Sequence, residues 1–218
     1  MTSSGWTRRD CIAAGLAGAY ALAAGTATAA ATPVILVVGD SLSAEYGLQR
    51  GSGWVALLEQ RLAKEKIAAK VVNASVSGDT TAGGRARLPA LLAQHKPTHV
   101  LIELGGNDAL RGLPLAMTED NLSQMTQAAR QAGARVLLVG MQLPPNYGRE
   151  FGERFAALYD QVARRHKAAA VPFFLKGFAE GPDAARYFQP DRIHPTEEAQ
   201  PLMLANVWPA LKKLLSAK

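Results

Sequence analysis

Cysteine is all but missing from this chain: 218 residues contain one, Cys11, inside a stretch that reads as an export signal. Once that stretch is removed, no disulfide and no cysteine chemistry can be built. Aromatics are also scarce, at 6%, and the net charge of +6 is spread along the chain without blocks of like sign. With no interleaving of basic and aromatic residues, nucleic-acid binding is not expected, while a transient contact with anionic membrane surfaces stays open. The apolar stretch from Cys11 to Gly25 is too short and too weakly hydrophobic to span a bilayer. Phosphate-binding loops are missing too, because Gly83-Gly84 and Gly105-Gly106 lack both the Lys-Ser/Thr pair and the Gly-x-Gly-x-x-Gly context. Asp40, Asp79 and Asp108 have no neighbours at metal-ligand spacing, so they are read as loop-supporting acceptors and no metal or cofactor is expected.

What remains is ordinary globular material, 48% hydrophobic and 19% charged, enough for one domain with a sizeable core. Arg8 and Arg9 precede the Ala/Gly/Leu stretch, and small residues then offer cleavage after Ala29 or Ala31. Residues 1–31 are therefore read as a cleavable export signal and 32–218 as the mature domain, periplasmic or secreted. Thr7-Arg8-Arg9-Asp10-Cys11-Ile12 resembles a twin-arginine signal, and a plain secretory signal is the alternative. Cys11 precedes the apolar region, so it is not a lipoprotein attachment site.

The mature segment alternates strand and helix. Val34 to Val38 is an uninterrupted β-branched and aliphatic run, as in a parallel-sheet strand buried on both faces, and it stops at Gly39. Ser52 is placed to cap a helix carrying Trp54, Leu57, Leu58 and Leu62 at helical spacing. Further strands are expected at 70–74, 99–104, 135–140 and 170–174. Further helices are expected at 85–94, from a Thr118 cap to Gly133, at 151–167, and through Trp208, Leu211 and Leu215, the last kinked by Pro201 and Pro209. His95 and His166 fall near helix C-termini, where the dipole favours a partly positive imidazole. His99 opens a strand and is expected at an edge. Five βα units in series imply an α/β fold: a three-layer α/β/α sandwich on a five-stranded parallel sheet, with flavodoxin-like order 2-1-3-4-5.

That order gives the loops their meaning, because ligands bind beyond the C-terminal strand ends where strands one and three flank the switch point. Ser41, Gly78, Asn107 and the pair Asp191/His194 all follow such ends. A serine hydroxyl needs a base, which His194 can be, and the base needs its tautomer fixed, which Asp191 three residues earlier can do. The oxyanion of acyl transfer needs donors, available from the Ser41 and Gly78 N–H groups and the Asn107 amide. A side chain in place of Gly78 is expected to push substrate away from that amide. Each signal alone is common; their joint order along one chain is not.

Gly39-Asp40-Ser41-Leu42-Ser43, Ser77-Gly78-Asp79-Thr80, Gly105-Gly106-Asn107-Asp108 and Asp191-x-x-His194-Pro195 together resemble the four blocks of the SGNH, or GDSL, hydrolase family. The segments 73–80, 103–112 and 143–148 are similar to its exported bacterial subgroup of acyl-CoA thioesterases, lysophospholipases and arylesterases. The resemblance covers essentially the whole mature chain. It implies Ser41, Asp191 and His194 as catalytic triad, Ser41, Gly78 and Asn107 as oxyanion hole, no cofactor, a small acyl-ester or lipid substrate, and a monomer. Two loops rich in apolar residues, with Leu110 and Leu113 in one and Leu143, Pro144 and Tyr147 in the other, are expected to form an acyl groove. The competing readings are a carbohydrate acetyl esterase on the same fold and a non-catalytic flavodoxin-like binding module.

Overall fold

The computed structural model describes Met1 and residues 32–217, so the expected export signal, with its Arg8-Arg9 pair and Cys11, lies outside the described residues. Five strands form one sheet: β1 (Val34–Gly39), β2 (Lys70–Asn73), β3 (His99–Glu103), β4 (Arg135–Val139) and β5 (Ala169–Val171). All pairings are parallel and the order is β2-β1-β3-β4-β5, as expected from the crossover rule. The helices are α1 (Trp54–Lys64), α2 (Thr81–His95), α3 (Gly106–Leu110), α4 (Leu115–Gln131), α5 (Arg149–Arg165) and α6 (Gln200–Ser216).

Strand side chains alternate between two cores, which is why the strands carry no polar face. Ile35, Val37, Leu101 and Leu137 face one helical layer and pack with Trp54 and Leu58 of α1 and Val207 and Trp208 of α6. Leu36, Val38, Val100 and Ile102 face the other, against Leu88 of α2, Leu122 and Met125 of α4 and Phe155 and Tyr159 of α5. Among the described residues no helix is long and apolar enough to cross a membrane.

Several element ends depart from expectation for identifiable reasons. Ser52 does not cap α1; its hydroxyl donates to the Gln49 carbonyl at 2.7 Å and to Glu197 at 3.0 Å. The cap residue is Gly53, and the first helical N–H, that of Trp54, is taken by the Gln200 side chain of α6 at 3.0 Å. Helix α2 starts four residues early, at Thr81, because Thr80 caps it by accepting from Gly83 N–H; the Gly83-Gly84 pair hides that turn from propensity. Helix α4 begins at Leu115 behind Pro114, whose fixed φ suits a helix entry, and Thr118 is buried inside it. Strand β5 stops at Val171 because Pro172 has no N–H to continue the ladder.

Pro201 sits in the first turn of α6, where its missing N–H costs nothing, and α6 runs on through Pro209 as one helix. His99 is not at an edge: β3 lies between β1 and β4, the imidazole is 5% exposed, and burial lowers its pKa. His166 does cap α5, but burial and then Arg165 and Arg130 hold its pKa down, and it is hydrogen-bonded to Ser123 at 2.6 Å. The dipole does not win there.

Candidate active site

The register of β1 against β3 pairs Gly39 with Glu103, so the two strands end side by side. The chain leaves β1 in tight turns, with Ser43 and Ala44 N–H both donating to the Asp40 carbonyl. This holds Ser41 at the strand end, half-buried. The segment after β2 is drawn to the same end, since Ala74 N–H donates to Val37 O at 2.9 Å and Val76 N–H to Gly39 O at 3.0 Å. Gly78 follows with φ of +78°, a conformation that favours glycine. A Cβ there would meet nothing closer than Arg111 at 3.8 Å, so backbone conformation rather than crowding explains the residue. Asn107 lies in the first turn of α3, directly after β3.

Three of the named residues form a hydrogen-bonded chain. The Ser41 hydroxyl is 2.9 Å from His194 Nε2, and His194 Nδ1 is 2.7 Å from Asp191 Oδ2. The acceptor-only carboxylate makes Nδ1 the protonated nitrogen, which leaves Nε2 to accept from serine. Asp191 Oδ1 accepts the N–H groups of His194 at 3.0 Å and Ile193 at 2.9 Å. Those backbone donors, the His194 one foremost, hold its pKa down at about 2, so it stays ionised at any working pH. The loop bearing His194 is tied to the serine turn by Gln189, whose amide donates to the Tyr46 carbonyl at 2.9 Å and to Pro195 O at 3.2 Å. The Tyr46 ring lies against the imidazole, centroids 4.3 Å apart.

Among the described residues the N–H groups of Ser41 and Gly78 have no intramolecular acceptor, as donors reserved for a ligand would not. The Asn107 amide donates one hydrogen to Asp40 Oδ2 at 3.0 Å. The Gly78 loop is braced by Arg111, which donates to Gly78 O at 2.8 Å. Arg87 adds a second brace, to Asp79 at 2.8 Å and to the carbonyls of Ala74 and Gly39. The three loop aspartates act as supports: Asp40 accepts from Leu42 N–H, Asp79 from Thr80 N–H, and Asp108 from the Thr81 N–H and hydroxyl. Among the described residues no group of three or more His, Cys, Asp or Glu could hold a metal ion.

Sequence reasoning missed Glu103. Its carboxyl is 1% exposed beside Asp40, itself 3% exposed. Oε2 accepts from the Ser43 hydroxyl at 2.7 Å, and that hydroxyl accepts from Trp54 Nε1 at 3.1 Å. Burial, then the neighbouring Asp40, pushes Glu103 well above the usual carboxylate range. Burial also raises Asp40, to about 6, against the pull of Leu42 N–H and the Asn107 amide. Burial and mutual repulsion thus both disfavour a second charge in this pair. The clue in the sequence was a glutamate inside the apolar run Val-Leu-Ile-Glu-Leu.

The residues expected to form an acyl groove do not converge on one cavity. Leu143 and Pro144 line a cleft of about 430 Å³ with Gly148, Gly152 and Ala156, whereas Leu110, Leu113 and Tyr147 do not line it. Leu110 is 42% exposed, Leu113 and Tyr147 half-buried. A second cavity, of about 660 Å³, lies between the serine turn and the β2 end, lined by Ala44, Leu48, Arg50, Asn73 and Ser75.

Residues 37–201 match the model of the GDSL-like lipase/acylhydrolase family. Over 200 residues, 92% of this chain and 98% of the other, the sequence is 56% identical to esterase TesA of Pseudomonas aeruginosa. It is 45% identical over 178 residues to thioesterase 1/protease 1/lysophospholipase L1 of Escherichia coli K12, spanning 82% of this chain and 83% of that protein. A crystal structure of TesA superposes with a TM-score of 0.80 at 56% identity, covering 83% of this chain and 99% of the other.

The buried carboxyl pair has a consequence for stability. Because burial and Asp40 raise the Glu103 pKa in the folded chain, that chain holds the proton more tightly than the unfolded one, and stability falls as pH rises above the ordinary glutamate range. Glu103→Gln removes that proton. Urea denaturation at pH 5 and pH 7 is expected to show the variant gaining on the wild type as pH rises. A stability difference that does not change with pH would show Glu103 to be as ionised folded as unfolded.

Proposed function

Because the chain belongs to the GDSL-like lipase/acylhydrolase family, we propose that it is a serine esterase acting on acyl esters and thioesters through Ser41, His194 and Asp191. The observation that carries this reading is the chain Asp191–His194–Ser41, with links of 2.7 and 2.9 Å, the second between residues 153 positions apart. His194 Nε2 takes the hydroxyl proton as Ser41 Oγ attacks the ester carbonyl, and ionised Asp191 stabilises the imidazolium. The negative charge that develops on the carbonyl oxygen is met by the free N–H groups of Ser41 and Gly78 and by the second Asn107 amide hydrogen. His194 then gives its proton to the departing alcohol or thiol, leaving an acyl-enzyme on Ser41. Water, deprotonated by the same imidazole, releases the acid.

Substrate class follows from the surroundings and from the names of the relatives. Lysophospholipids, aryl esters and acyl thioesters are the substrates of this reading, bound from solution or from a lipid surface by a monomer without cofactor. The first 31 residues are its cleavable export signal, which places the mature enzyme in the periplasm or outside the cell. Acyl-CoA is a cytosolic metabolite, so thioester cleavage is then a capability rather than the role.

Ser41→Ala is expected to lower ester hydrolysis by about 10³-fold or more while the melting transition is retained. Assays on p-nitrophenyl esters, acyl-CoAs, lysophospholipids and acetylated sugars check it; near-normal turnover in an esterase-free preparation would rule out the triad.

Mass spectrometry of the protein recovered from outside the cytoplasm is expected to show an N-terminus at Ala30 or Thr32. An intact Met1 terminus there would count against a cleaved signal.

Chain-length preference tests the acyl groove. Each buried methylene adds about 0.8 kcal/mol, close to fourfold per carbon until the groove is full. kcat/KM is therefore expected to rise from acetyl to medium-length esters, and Leu143→Ala, in the cleft that Leu143 lines with Pro144, to flatten the rise. A wild type fastest on acetyl esters would favour the carbohydrate esterase instead.

A further inference from the structure

The buried carboxyls under the site have no role in the mechanism above, yet one of them touches it. Asn107 presents a planar amide whose oxygen and nitrogen lie on opposite sides of the Cβ–Cγ bond, and only the nitrogen edge can stabilise an oxyanion. Nothing in the Asn107 backbone selects between the two orientations. Asp40 does, because its Oδ2 is an acceptor 3.0 Å from Asn107 Nδ2 and would repel the amide oxygen. Asp40 is itself immobilised, with Oδ1 accepting Leu42 N–H at 3.0 Å and its own N–H 3.4 Å from Glu103 Oε2. Behind it, Trp54 Nε1 donates to the Ser43 hydroxyl, which thereby turns its hydrogen to Glu103.

Packing enforces this arrangement. A Cβ on Gly39 would fall 2.7 Å from Ser43 Oγ and 2.9 Å from Glu103 Oε2, so the strand end must be glycine for the pair to close up. Burial and the neighbouring Asp40 push Glu103 well above the usual carboxylate range, which disfavours a second charge beside Asp40, whose carboxylate meets the Leu42 N–H and the Asn107 amide.

We infer that Asp40, backed by Glu103, is a positioning residue of the oxyanion hole, fixing the Asn107 amide with its nitrogen toward the substrate carbonyl. The inference rests on the reading of Asn107 as an oxyanion donor. Asp40→Asn is the informative change. The new amide must turn its oxygen to Leu42 N–H, so its NH2 group faces Asn107, whose amide then turns its oxygen toward Asp40→Asn and loses the productive orientation.

The test is a double-mutant cycle on p-nitrophenyl butyrate with kcat and KM measured separately. Asp40→Asn is expected to lower kcat by roughly 10²-fold, approaching the loss in Asn107→Ala, with KM within about twofold of wild type. In the Asn107→Ala background the same change is expected to lower kcat by less than about threefold, since there is no amide left to orient. An Asn107→Ala enzyme with kcat intact overturns the oxyanion reading and the inference together. An impaired Asn107→Ala enzyme on which Asp40→Asn acts in full overturns the inference alone.

Should Asp40→Asn not fold, the wild type carries the test. Its two Asn107 side-chain amide protons, assigned by their loss in Asn107→Ala, are expected to differ widely, one shifted downfield and slow to exchange. A pair with the shifts and exchange of a free amide overturns the inference.

Discussion

The pairing of β1 with β3 is the constraint on which the rest of this structure depends. Parallel strands adjacent in space but not in sequence need a crossover, and here the crossover contains β2 and two helices. Register then does what no local signal can: opposing Gly39 to Glu103 fixes where both strands stop. Two residues past one stop is Ser41, four past the other is Asn107. A slip of one residue would exchange the faces of β1, sending Ile35 and Val37 into the core now filled by Leu36 and Val38. Ser41 and Asn107 are therefore held in place by the same hydrophobic alternation that holds the sheet together.

His194 arrives differently. No strand leads directly to His194; its loop follows β5 after more than twenty residues and is held by a few polar contacts. A single bridge pairs Phe188 with Pro195, Gln189 N–H donates to the His194 carbonyl at 2.8 Å, and the Gln189 side chain reaches back to Tyr46. Tyr46 covers one face of the imidazole although the tyrosine itself is half exposed. One half of the site thus sits on strand ends and the other on a strap held by polar contacts.

Much of this was legible in the chain because parallel strands buried on both faces are continuous apolar runs, and those of β1 and β4 end in glycine. Strand order followed from topology, and the serine and asparagine were legible as strand-end residues, whereas the histidine, far past β5, was legible through Asp191 three residues before it. What was not legible came from contacts distant in sequence. Gln200 caps α1 from another helix, Pro114 starts α4 ahead of the more conventional Thr118, and His99 is buried because β3 became the central strand. Glu103 was visible as a charge in an apolar run. Its meaning needed Gly39, Ser43 and Trp54 brought beside it, which only the folded sheet does.

That buried pair also shows what the site costs the fold. Raising Asp40 from 3.8 to about 6 corresponds to roughly 3 kcal/mol at neutral pH, a substantial part of the 5–15 kcal/mol that holds a domain folded. A well-packed apolar pair would avoid the cost, so stability does not account for the charge. Neither would a solvent-exposed carboxylate serve, because water would compete for the Asn107 amide and leave its orientation free. The charge has to be dry to choose between the two faces of that amide. Glu103, pushed up by burial and by Asp40, disfavours a second charge beside it, and the two apolar cores on either side of the sheet supply the stability against which that burial is set.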